Sequence, residues 1–129
     1  MRTVAAQDLG WLLDFHEVWA YVAIVANAVA GIVLLVCWRV RKWRGRWMWI
    51  PTIAAEAAMM LQVVVGVALV ASDDYVVPRF HMFYGFVAFL TVGIAYSYRQ
   101  QMRGRRELFY GLVGLFIMGL GIRAILQVS

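Results

Sequence analysis

Residues 79–99, RFHMFYGFVAFLTVGIAYSYR, are one apolar run bracketed by two arginines. At about 1.5 Å of rise per residue, a helix of this length covers the roughly 30 Å hydrocarbon layer of a bilayer. The run therefore reads as a membrane-spanning helix. Its first turn carries His81, the only residue between Arg79 and Arg99 that can titrate near neutral pH or offer an imidazole to a metal. On the helical face below it follow Tyr84, Gly85, Ala88, Thr91, Val92 and Ala95. Most of these are small, so something is expected to pack closely beneath the imidazole.

Working outward, three more segments have the same character, which gives spans at about 11–36, 47–71, 78–98 and 108–126. With 64% of the 129 residues apolar and only 15% charged, the chain is excluded from the ordinary soluble domains. Connections of about ten residues force neighbouring spans to run in opposite directions. The expected fold is an all-α membrane protein, a single domain over residues 1–129 forming an antiparallel up-and-down four-helix transmembrane bundle. Residues 1–10 lead straight into a full-length span and show no signal-peptide pattern, so the first span is expected to be retained.

Charge sets the expected orientation. Nine of the twelve Lys and Arg residues fall in two loops: Arg39, Arg41, Lys42, Arg44 and Arg46 after the first span, and Arg99, Arg103, Arg105 and Arg106 after the third. The positive-inside rule puts both loops in the cytoplasm of a cell with an inner membrane, and both termini and the 72–80 loop outside. The net charge of +5 is thus accounted for by topology and contact with the lipid bilayer, and no nucleic-acid partner is expected. The single cysteine, Cys37, cannot form an internal disulfide and sits beside a basic loop on the reducing side.

Trp38, Trp43, Trp47 and Trp49 crowd the inner boundary as an anchoring belt. Asn27 is expected near mid-membrane, where its amide needs a partner on another helix. Glu56, the one carboxylate plainly inside a span, is costly to bury ionised and is expected to be protonated, paired or near water. Gly111, Gly114, Met118 and Gly121 form a stripe on the fourth span that permits close backbone approach, with Arg123 nearly opposite.

The only other histidine, His16, heads the first span above a face of Ala20, Ala23, Asn27, Ala30 and Gly31. By the expected topology the first and third helices both start at the outer surface and stand diagonally across the bundle, so His16 and His81 share one depth. Two imidazoles at equal depth above small-residue faces are what bis-histidine ligation of a heme b iron requires. In that reading Gly85 and Ala20, one turn below the histidines, take the porphyrin edge. Arg79, or else Arg123, neutralises propionates, and Asp14 or Glu17 accepts a second ring N–H. Interfacial histidines bonded to water or lipid would have the same sequence. A zinc or copper site lacks further strong ligands.

LQVVVGVALV, an outer loop and RFHMFYGFVAF together resemble one four-helix half of the heme A synthase family, in which Q-x-x-x-G precedes a helix heading with histidine. The match covers about 61–89, with a weaker echo at 15–31. The resemblance implies paired histidines on alternate helices near the outer face. There are departures: the family has two fused bundles, and in place of its E-x-x-H-R motif this chain has Leu13 and Glu17 around His16. The heme-binding half is therefore what carries over, not oxidation of a heme methyl group.

Three functions follow as expectations. The first is a small heme b protein passing electrons or handling heme beside a respiratory complex. The second is a cofactor-free accessory or assembly subunit packed against other membrane protein subunits. The third is a proton-coupled exporter using Glu56, disfavoured by the strong charge bias between loops. No enzymatic grouping appears beyond the histidine pair.

Overall fold

In a computed structural model that describes residues 10–72 and 77–128, the chain is helical throughout its long elements. The helices are α1 (Gly10–Arg39), α2 (Trp49–Ala71), α3 (Arg79–Ser97) and α4 (Arg106–Leu126), with short 3-10 turns at Arg41–Trp43 and Arg46–Met48 between α1 and α2. All four are long and apolar enough to cross a membrane. Their limits lie within a few residues of those expected from hydropathy. The outer tail and the acidic pair Asp73 and Asp74 fall outside the described residues.

The helix ends explain part of the basic charge. The last carbonyls of a helix have no intrahelical donor, and here arginines supply one. Arg44 donates from Nε to Cys37 O (2.9 Å) and from Nη2 to Trp38 O (2.7 Å), with its guanidinium 5.0 Å from the Trp38 ring centroid. Arg106 donates from Nε to Arg99 O (2.7 Å) just beyond α3. Gly104, at φ +90°, makes the left-handed turn that lets the chain reach α4. The basic loops are structural caps as well as charge clusters.

The seams between helices are unequal. α1 packs most extensively on α4 and then on α2, α3 packs on α4 and only sparsely on α2, and α1 and α3 stand across the bundle from each other. Glycine makes the first seam: a Cβ on Gly31 would lie 2.9 Å from Gly111 O, and one on Gly114 would lie 3.0 Å from Asn27 O. The expected small faces are packed in part: Ala23, Asn27, Ala30 and Gly31 of α1 and Ala88 and Ala95 of α3 are buried, while Ala20 and Gly85 are only half-buried.

The core has two parts. One gathers Ala23, Met59, Ala88, Ile117 and Leu120, and the other Leu34, Cys37, Met48, Ala95 and Tyr110. Asn27, almost fully buried, donates from Nδ2 to Ala23 O (2.8 Å) and to Ala55 O of α2 (3.1 Å), so the mid-span amide finds its interhelical partner. Tyr110 donates its hydroxyl to Ala95 O (2.9 Å), joining α4 to α3, and packs edge-on against Trp49. Trp49 thus belongs partly to the core, while Trp43 and Trp47 remain exposed.

Candidate functional site

His16 and His81 meet. Their ring centroids are 6.2 Å apart and the planes lie at 78°, although α1 and α3 make no close backbone approach. The contact is made by side chains reaching across the bundle from diagonal helices.

α2 forms the seat for His16. Gln62, 8% exposed, donates from Nε2 to His16 O (2.7 Å), and Trp19 donates from Nε1 to Ala58 O (2.8 Å), which fixes α1 against α2 at the histidine and about one turn further along. One turn beyond Gln62, Gly66 lies against the imidazole: a Cβ there would sit 3.1 Å from His16 Cε1 and 3.6 Å from Nε2. The Gln and Gly four residues apart share a helix face, one bonded to the His16 carbonyl and the other packed against its ring.

His81 is held by α4. Its Nδ1 lies 2.8 Å from Ala124 O, and a carbonyl can only accept, so Nδ1 carries a proton and, in the neutral ring, the lone pair is on Nε2. Ligating histidines are fixed in this way, the second nitrogen donating to a carbonyl or carboxylate. The partner is Ala124 and not Asp14 or Glu17, both of which are exposed. A backbone carbonyl has no sequence signature, so nothing in the chain could have pointed to Ala124.

Two buried polar atoms have no hydrogen-bond partner among the described residues: His16 Nδ1 and Gln62 Oε1. Each unpaired group of this kind costs about 1–3 kcal/mol. Both belong to the His16 seat. Elsewhere buried polar groups are paired, Thr52 by back-bonding within its helix (Oγ1 to Met48 O, 3.1 Å) and Asn27 and Tyr110 across helices.

The remaining expected residues fall around this pair. Gly85 is half-buried with nothing within 4 Å of where a Cβ would stand, so the space beside it is open. Ala20 is half-buried on α1, and Arg79 and Arg123 are exposed. Glu56 is half-buried nearer the Trp49 end of α2, away from the histidines.

These features fit a metal atom between the rings. With a metal–nitrogen bond of about 2 Å on each side, two ligating imidazoles have centroids roughly 6 Å apart. An edge-to-face ring pair falls in the same range, and the carbonyl-tethered Nδ1 of His81 is also how a ligating histidine is held. No group of three or more His, Cys, Asp or Glu side chains able to hold a metal ion occurs among the described residues. Comparison with protein-family models, with curated proteins and with solved structures finds no match to this chain.

Proposed function

We propose that the protein binds one heme b through His16 and His81 and serves electron transfer or heme handling in the cytoplasmic membrane, beside a respiratory complex. The observation that carries this reading is the meeting of the two histidines across the bundle at 6.2 Å, with Nδ1 of His81 already committed to Ala124 O. A bound heme supplies one-electron chemistry at its iron. The chain's part is to aim two nitrogens, exclude water and set the basicity of the ligands. Gly85 and Ala20, one turn below the histidines, would border the porphyrin. Arg79, with Arg123 as the alternative, balances the propionates at the membrane surface.

The reading includes an antiparallel bundle, and the order of the contacts between α1 and α2 supports it. His16, Trp19 and Asn27 on α1 are joined to Gln62, Ala58 and Ala55 on α2, one series rising as the other falls. With the basic loops in the cytoplasm, both termini and the histidine pair lie toward the outer face.

Titration of ferric heme into the purified protein tests the proposal. Saturation at one heme per chain, lost in both His16→Ala and His81→Ala, is expected; uptake unaffected by either substitution would overturn it.

A second reading, a cofactor-free accessory or assembly subunit of a larger membrane complex, draws on α3, whose Phe80, Phe83, Phe86, Leu90 and Ile94 are exposed as a face available to lipid or to another subunit. A purified protein that runs alone in native gels and binds heme stoichiometrically would remove it.

A further inference from the structure

Gln62 is nine-tenths buried, spends its amide N–H on His16 O, and leaves Oε1 without a partner; beside it His16 Nδ1 is also buried and unpartnered. The donation from Nε2 fixes which way the amide points, so Oε1 cannot be relieved by flipping the side chain. Oε1 has only lone pairs and needs a donor. The two orphans do not bond to each other, and a single water hydrogen-bonded to both would pair each of them.

We propose that Gln62 is the positioning residue for His16, acting through one buried water. Nδ1–H of His16 donates to the water oxygen, and the water donates to Gln62 Oε1. His16 then carries its proton on Nδ1 and its lone pair on Nε2, matching His81, whose Nδ1–H donates to Ala124 O. The two rings become equivalent ligands by different means, one through a backbone carbonyl and one through a side-chain amide. Gly66 belongs to the same device, because a Cβ 3.1 Å from His16 Cε1 would displace the ring from this position. The direction of the water bridge rests on the heme reading, since the reverse direction would place the proton on Nε2 and remove the ligating lone pair.

Two measurements on the full chain in detergent separate this inference from the heme reading. In the heme-free protein labelled with ¹⁵N-histidine, with resonances assigned through His81→Gln, His16 is expected as the Nδ1–H tautomer. Gln62→Leu should give a mixture and Gln62→Glu, which keeps an acceptor oxygen, should restore the pure form. A His16 tautomer unchanged by Gln62→Leu, or an Nε2–H tautomer in the wild type, would overturn the inference whatever the protein binds. In the heme-loaded protein, Gln62→Leu should raise the midpoint potential and weaken heme affinity about ten- to a hundredfold, because a ligand that donates to an acceptor is more basic and favours the ferric iron. Normal heme uptake with an unmoved potential in Gln62→Leu overturns the positioning role and leaves the heme reading standing. Failure of the wild type to take up ferric heme overturns the heme reading, and the nitrogen spectra then decide the tautomer alone.

Discussion

The α1–α4 and α2–α3 seams show two uses of small residues in one bundle. Between α1 and α4, Gly31, Gly111 and Gly114 bring backbone to within van der Waals contact, so no added atom can be accommodated without moving a helix. Between α2 and α3 the helices barely touch, and Gly85 faces open space. A glycine in the first seam stabilises by permitting contact, whereas Gly85 costs helix propensity and gains no contact in return. The same residue type thus marks a structural weld at one place and an unpacked position, one turn below His81, at another.

Substitutions can break this contrast. Gly114→Val, forced against Asn27 O and the Gly31 backbone, should destabilise the bundle by about 3 kcal/mol, read as a lowered unfolding midpoint in detergent. An unchanged midpoint would mean that the seam is not tight. Asn27→Leu removes the amide bridge to Ala55 O and should cost about 1–2 kcal/mol in the same assay. Tyr110→Phe, which loses only the hydroxyl bond to Ala95 O, should cost about 1 kcal/mol. Gly85→Ala, meeting nothing within 4 Å, should raise stability by up to about 1 kcal/mol through helix propensity alone. Gly85→Leu should fold equally well and take up less heme; destabilisation by either Gly85 change would show that the position is packed.

Much of the fold was legible because the bilayer imposes a length and composition that hydropathy reports directly. The four spans, the packed faces of α1 and α3 and the glycine stripe of α4 all follow from spacing. The unequal seams did not, since a small-residue face says that close approach is possible and not which neighbour takes it. In the site, the two histidines were legible as an equal-depth pair, and their meeting is a matter of side-chain reach that the spacing permitted. The support behind them was less so. Gln62 and Gly66 stood out only through a resemblance, and the structure gives them a physical task in seating His16. Ala124 contributes a carbonyl that every residue possesses. Arg44 and Arg106 read as topology signals, and their capping of helix ends depends on loop geometry that composition does not encode.

The most direct test of the histidine pair as an iron site is the reduced-minus-oxidised visible spectrum of the protein purified after heme-replete expression. A sharp α-band in the b-type region, present in the wild type and absent when either His16 or His81 is replaced by alanine, is the predicted result. A featureless difference spectrum from well-folded wild-type protein would contradict it and leave the two rings as an edge-to-face contact inside a helical bundle.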